Sequence, residues 1–351
     1  MQKSKLGLIL SLFILQVFSL ATIWSTYQSL FLTQLSFFLV GVFIIYIVSK
    51  TDHSIFFTFS TFLYFFSIFL LIITFFLGKN VRGSVRWIDF GIFSLQTSEI
   101  IKPMLAIFYS NYLAQNKLKK FADYLKFLCY AAVPSILVAK QPDLGSALTI
   151  AFLPFFLLSV SGYLKQTMIL VISFLIIAVP MESLLLKPYQ KTRIETFINP
   201  YKDPKGAGYN VIQAMIAIGS GRVFGKGVKL GTQSHLNFLP ERHTDFVFAS
   251  FVEEFGFIGA VTTIVCFFYI LRSALYVAGR QKNKSSELLI LSGFATILFQ
   301  FVVNLGMNLG IMPVTGITLP LFSYGGSSLL SFSIFLGFLV RQLDLLPPIE
   351  I

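Results

Sequence analysis

The run IFFTFSTFLYFFSIFLLIITFFL, residues 55–77, carries no charged side chain across 23 positions. At 1.5 Å per residue, a helix of that length reaches about 35 Å, more than the ~30 Å hydrocarbon core of a bilayer. Working outward, comparable runs lie near 6–24, 31–48, 100–115, 127–139, 144–160, 167–186, 246–271, 287–306 and 327–340, which makes ten spans, two of them short. The composition agrees: 56% of the 351 residues are hydrophobic and 12% are charged, with a mean hydropathy of +0.80. A soluble chain carries about 25% charged residues, and no soluble core hides this much apolar surface. Disordered, disulfide-scaffold and coiled-coil classes are excluded as well. The expectation is an all-α, polytopic integral membrane protein, a single membrane domain over 1–351. Lys3 and Lys5 ahead of a leucine-rich run suggest a signal peptide, but the run reaches Trp24 without a small-x-small cleavage site and reads as a retained first helix.

Basic residues set the orientation. With the N-terminus inside, the cytoplasmic side collects 13 of the 27 Lys and Arg, including Lys117, Lys119, Lys120, Arg272, Arg280, Lys282 and Lys284. The bias predicts both termini in the cytoplasm. The other 14 lie outward: Lys79, Arg82, Arg86, Lys102 and Lys140 in short segments, and nine in a large extracytoplasmic loop, 187–245, between helices 7 and 8. Long loops cross largely regardless of charge. The apolar run at 211–218 and the glycine-rich stretches predict short interfacial helices there, with no separate domain. Cys129 and Cys266 fall inside spans, which argues against a disulfide or a zinc site.

Ionisable groups at membrane depth are costly and mark function more often than packing. In Lys140-Gln141-Pro142-Asp143-Leu144-Gly145, Pro142 suits a first helical turn and puts Asp143 at the outer N-terminus of the sixth span. Asp143 there either complements the helix dipole or serves as a general base or ion ligand. Arg86 and Trp87 precede Glu99 and Lys102, which sit i, i+3 atop the fourth span. Those two either pair with each other or join Lys140 and Arg86 in an outward cationic pocket for an anionic headgroup. A third group, Glu241-Arg242-His243-Thr244-Asp245, precedes the eighth span, and its spacing matches no usual metal site. Glu253 and Glu254, farther into that span, are expected to face the bundle interior or a wet cavity.

Two glycine-rich runs are weaker signals. Residues 219–227, GSGRVFGKG, resemble a phosphate loop but lack the Walker spacing and a Ser or Thr after Lys226. Ser323-Tyr324-Gly325-Gly326-Ser327-Ser328 opens the last span, where small residues permit close helix packing or contact between backbone amides and a headgroup.

The same segments carry a family resemblance. Gln141 to Gly145, the stretch from Asn199-Pro200 through Gly206-Ala207-Gly208-Tyr209 to Gly221, Leu239 to Phe246, and Pro320 to Ser328 together resemble the SEDS family. Gly231-Thr232-Gln233-Ser234 leading into Pro240 to His243 is similar to its RodA branch rather than the division-associated FtsW branch. The match departs at Thr97, where proline is usual, and at Arg222, where glycine is usual. The resemblance implies ten spans and a peptidoglycan glycosyltransferase that polymerises lipid II at the outer face of the bacterial cytoplasmic membrane during cell elongation. It implies an aspartate matching Asp143 as the catalytic residue. It also implies a class B penicillin-binding protein as transpeptidase partner, among other membrane proteins of the elongation complex, with no role for nucleic acid.

Joining two lipid-linked disaccharides requires an acceptor hydroxyl to attack an anomeric carbon as a lipid pyrophosphate departs. Asp143 is the expected general base. Lys102, Lys140, Arg86, Arg193 or Arg242 would offset the leaving charge, alone or with a divalent cation such as magnesium or manganese. Trp87, Glu99, His243, Asp245, Ser327 and Ser328 complete the expected substrate contacts. Two rival readings are a lipid II flippase, favoured by the short broken spans at 127–160, and a non-catalytic scaffold of the wall-synthesis complex.

Overall fold

The structure, a computed structural model, describes residues 2–81, 84–91, 93–178 and 188–346. Arg82, Lys187 and the 179–186 end of the seventh expected span lie outside the described residues. The chain is a helical bundle. Its elements are α1 (Gln2–Thr26), α2 (Phe31–Lys50), α3 (Ser60–Leu77), α4 (Thr97–Gln115), α5 (Phe121–Lys140), α6 (Leu144–Leu158), α7 (Leu164–Ala178), α8 (Pro188–Ile198), α9 (Tyr209–Ser220), α10 (Val247–Ala278), α11 (Lys284–Asn308) and α12 (Gly326–Leu345).

Eight helical stretches among the described residues are long and apolar enough to cross a membrane. Two of the ten expected spans stand apart from that set, for different reasons. Residues 100–115 do form a helix, α4, but fourteen of its nineteen residues are buried. It packs against α3, α6, α11 and α12, so protein rather than lipid surrounds it and polar residues are tolerated. Asn111, for example, donates to Ser60 Oγ at 2.8 Å and to the Phe57 carbonyl at 3.1 Å. The other, 167–186, begins in α7, which follows α6 through a single wide turn at Ser159–Tyr163 where Gly162 takes φ 94°. The span expected as short at 127–139 is the full-length α5.

Lipid-facing helices show the opposite pattern from α4. On α2, Leu39, Phe43 and Tyr46 are exposed, as a helix against acyl chains requires. The bundle core joins buried residues of α4, α6, α10, α11 and α12, among them Tyr109, Phe251, Phe267 and Phe332.

One element was not expected. Between α3 and α4 the chain forms a small antiparallel sheet, β1 (Lys79–Val81), β2 (Ser84–Asp89) and β3 (Ser94–Gln96), with β2 in the middle. Trp87 pairs with Gln96 in this sheet. Its register therefore fixes Arg86 and Trp87 relative to the start of α4.

Candidate active site

Asp143 N-caps α6, its Oδ1 accepting from the Ser146 amide at 3.1 Å. Its Oδ2 accepts from Gln96 Nε2 at 2.9 Å and Ser98 Oγ at 3.1 Å. Arg86 Nη1 stands 3.5 Å from Oδ1. The carboxylate is 2% exposed, so its four acceptor positions are taken up by protein. Arg86 is itself oriented by Ser84, whose Oγ accepts from its Nε at 2.8 Å. The Gln96 amide in turn donates to Ser327 Oγ at 2.8 Å, tying this group to the first turn of α12. Next to it, Ser328 Oγ lies 3.2 Å from Thr318 Oγ1.

Asp245 closes the Leu239–Phe246 turn just before α10. Glu241 adopts φ 52°, and its carbonyl accepts from the Thr244 and Phe246 amides at 3.1 Å each. The Asp245 carbonyl accepts from Asn304 and Asn308 of α11 at 3.0 and 3.1 Å. Ser323 Oγ donates to the Thr244 carbonyl at 2.7 Å, and the Tyr324 amide to the His243 carbonyl at 2.9 Å. Backbone and amide contacts thus clamp the turn, while among the described residues no donor reaches the Asp245 carboxylate. Although part of this residue meets solvent, burial pushes the carboxyl up to about 6. Glu241 and Asp143 add to that shift, and Arg86 and Arg193 oppose it. Arg86, Asp143, Asp245 and Arg193 therefore share one electrostatic neighbourhood, drawn from β2, the α5–α6 turn, the 239–246 turn and α8.

Other expected site residues fall elsewhere. Lys102 is 1% exposed and bonds Glu99 at 2.6 Å, so the two form a buried pair and do not join an outward pocket. Glu99 Oε2 is buried with no hydrogen-bond partner among the described residues. Lys140 is exposed at the end of α5. Trp87 is half-buried on β2. Arg242 and His243 turn toward the outer end of α1: Arg242 Nε donates to the Thr26 carbonyl at 3.3 Å, and the His243 ring lies 5.1 Å from Tyr27.

Glu253 and Glu254 face the bundle interior, the first of their two expected places. Glu253 is fully buried and accepts from Lys226 Nζ at 2.9 Å, the Gln233 amide at 2.9 Å and both Ser234 donors. Glu254 Oε1 meets His235 Nε2 at 2.8 Å and the Ser25 hydroxyl. The two acids fasten the large loop to α10 and α1. The glycine-rich run ending at Gly227 has a related task. Gly256, at φ 68° and ψ −165°, breaks α10, and the loop backbone completes the interrupted ladder: Lys226 and Gly227 amides donate to the Glu253 and Glu254 carbonyls, and Phe257 and Ile258 amides to the Arg222 and Val223 carbonyls. Spacing in the sequence singles out Glu99 and Lys102 but passes over Gln96 and Ser98, which hold Asp143. Only the pairing of Trp87 with Gln96 across a sheet would have exposed them. Among the described residues no group of three or more His, Cys, Asp and Glu converges.

The molecule is similar to known proteins over nearly its whole length. Peptidoglycan glycosyltransferase MrdB of Escherichia coli strain K12 is 36% identical over 335 residues, covering 92% of this chain and 89% of that one. The probable peptidoglycan glycosyltransferase FtsW of Buchnera aphidicola subsp. Schizaphis graminum is 38% identical over 273 residues, covering 75% and 76%. Among solved structures, a chain from work on the structural coordination of polymerization and crosslinking by a peptidoglycan synthase complex superposes with a TM-score of 0.83 at 28% identity, covering 96% and 97%. The Thermus thermophilus rod shape determining protein RodA superposes with a TM-score of 0.72 at 25% identity, covering 96% of each chain. The cell cycle protein family FtsW/RodA/SpoVE matches residues 3–344, and the chain belongs to that family.

Proposed function

We propose that the chain is a peptidoglycan glycosyltransferase that polymerises lipid II at the outer face of the bacterial cytoplasmic membrane, with both termini inside. The observation that carries this reading is the outward cluster of Arg86, Asp143, Asp245 and Arg193. It sets two carboxylates and two guanidinium groups where a sugar hydroxyl must lose a proton and a pyrophosphate must leave. The synthase-complex chain that it superposes on supports a transpeptidase partner of the class B penicillin-binding type.

The two carboxylates suit different tasks. Sequence reading gives the proton-accepting role to Asp143, but its oxygens already accept three hydrogen bonds and pair with Arg86 in a buried site. Asp245 has no such donors among the described residues, keeps partial access to solvent, and has its carboxyl raised to about 6, close to working pH. On this reading Asp245 removes the acceptor 4-hydroxyl proton, and Asp143 is a positioning residue that holds Arg86 in place. As the acceptor oxygen bonds to the anomeric carbon, the donor's C1–O bond breaks and its electron pair leaves on the lipid pyrophosphate, which Arg86 and Arg193 stabilise. An α-linked donor then yields a β-linked glycan. Were a divalent cation to take part, Asp245 would hold it, and the ion would supply positive charge to offset the departing pyrophosphate.

Purified protein with its transpeptidase partner and lipid II in detergent tests the assignment, because flipping has no meaning there. Asp245→Asn should lower polymer formation by about 10²–10⁴-fold. The wild-type rate should fall as pH drops through about 6, where Asp245 takes up its proton. Asp143→Ala should be slow and should move that midpoint lower, because the Asp143 charge helps to raise the Asp245 carboxyl. Polymerisation by Asp245→Asn at the wild-type rate overturns the assignment. No polymer from the wild-type protein and its partner overturns the glycosyltransferase reading.

A further inference from the structure

A cavity of about 240 Å³ lies outside the cluster just described, between α8, the start of α9 and residues 310–314. Its lining includes Arg193, Thr196 and Asn210 as well as Val211, Pro313 and Val314. The wall is therefore mixed, with uncharged hydrogen-bonding groups and a single cation among apolar side chains. One segment links it to Asp245. Val314 lines the cavity, and two residues later a Cβ added to Gly316 would lie 3.6 Å from Asp245 Oδ2. Two residues span at most about 7 Å, so the cavity wall at Val314 lies within about 12 Å of the carboxylate, the length of about two sugar rings. Between them, the Thr315 hydroxyl is buried and has no hydrogen-bond partner among the described residues. Arg193 belongs to both places, since it lines the cavity and acts electrostatically on Asp245.

These features select the ligand. Ligand pockets for drug-sized molecules run from about 300 to 1,000 Å³, so this one is too small for a disaccharide carrying its peptide. A pyrophosphate would call for several cations rather than one. A single N-acetylated sugar ring matches the wall: its hydroxyls and amide meet Thr196, Asn210 and Arg193, and its ring face and acetyl methyl meet Val211, Pro313 and Val314. We propose that this cavity is a saccharide subsite that holds an N-acetylated sugar next to the one that reacts at Asp245. The proposal rests on the glycosyltransferase reading and extends it to a second binding position. That sugar belongs either to the nascent strand, held between additions, or to an incoming lipid II.

The test uses the full chain with its transpeptidase partner, penicillin to silence crosslinking, and lipid II in detergent. Two variants are compared with wild type: Thr196→Trp, which fills the cavity, and Asn210→Ala, which removes a polar contact without adding bulk. If the subsite holds the nascent strand, mean strand length should fall about tenfold, equivalent to 1.4 kcal/mol, through faster strand release, while the first coupling keeps its rate. If it holds lipid II, the KM for lipid II should rise by a similar factor and the first coupling should slow at low substrate. Either result supports a saccharide subsite and says whose sugar it takes. Wild-type strand length and wild-type KM in Asn210→Ala, together with the same in any folded Thr196→Trp, overturn it. Because wild-type polymer is required for every comparison, its absence counts against the glycosyltransferase reading and not against the subsite alone.

Discussion

Asp143 and Asp245 share one electrostatic neighbourhood, yet their immediate surroundings differ. Asp143 is a helix cap with three neutral donors and a guanidinium, an arrangement that holds a carboxylate in one orientation. Asp245 is held by its backbone, and its side chain is left to a partly desolvated site. The Asp245 arrangement lowers stability, and the sign can be worked out. A folded-state carboxyl raised from 3.8 to about 6 binds its proton more tightly than in the unfolded chain. Stability must therefore fall as pH rises through that interval and remain lower above it. Asp245→Asn should accordingly raise the melting temperature at pH 7, and the gain should vanish near pH 4, where the acid is neutral in the folded state. A melting temperature that Asp245→Asn lowers at pH 7 would contradict a destabilising, functionally retained carboxylate. Sequence order made Asp143 legible, because a Gln-Pro-Asp turn announces a helix start. The partners that saturate it come from residues 86 and 96–98, brought close by strand pairing that no local pattern displayed.

At the scale of elements, α10 shows where hydropathy reads well and where it stops. The apolar pattern of 246–271 found this helix, but it runs on to Ala278 and is broken at Gly256. Gly256 adopts a backbone region open essentially only to glycine. An added Cβ would sit 2.2 Å from the Gly225 amide nitrogen and 2.5 Å from the Val223 carbonyl oxygen, both backbone atoms unable to yield cheaply. Gly221 and Gly225 thus serve close approach of two backbones, and the run's likeness to a phosphate loop is a coincidence of composition. Gly256→Ala should destabilise the protein by roughly 3 kcal/mol or more, combining strain with loss of the four loop-to-helix hydrogen bonds. Limited proteolysis checks the mechanism: cleavage should appear within 221–231 in the variant under conditions that leave the wild type intact. A variant with lowered stability but a loop still resistant to protease would place the damage elsewhere. The small sheet at 79–96 escaped hydropathy for another reason, since strands of three to six residues are too short to stand out in a window that finds membrane spans.

Over the whole molecule, the net charge of +12 divides into two populations. Thirteen basic residues lie in segments expected to face the cytoplasm, where basic loops stay. The fourteen expected outward have no such reason to be there, and the structure divides them: Lys102 is buried against Glu99. Lys226 is tied to a buried acid of α10, and Lys229 lies over the Trp24 ring at 3.8 Å, so both help to fasten the loop. Arg86 and Arg193 both act electrostatically on Asp245. The ten-span count depends on the turn at Gly162, which separates α6 from α7. Were α6 and α7 one continuous crossing, every segment after it would change sides, and Arg272 to Lys284 would face outward. Single cysteines distinguish the two arrangements. With Cys129 and Cys266 replaced by serine, Asp203→Cys in the exposed loop should react with a membrane-impermeant maleimide in intact spheroplasts. Lys282→Cys should react only after the membrane is opened. Labelling of Lys282→Cys from outside would invert the second half of the molecule and move Asp245 to the cytoplasmic face. It would then part Asp245 from Arg86 and Asp143, whose charges act on it, so the 239–246 turn and the α5–α6 turn must lie at the same end of the bundle.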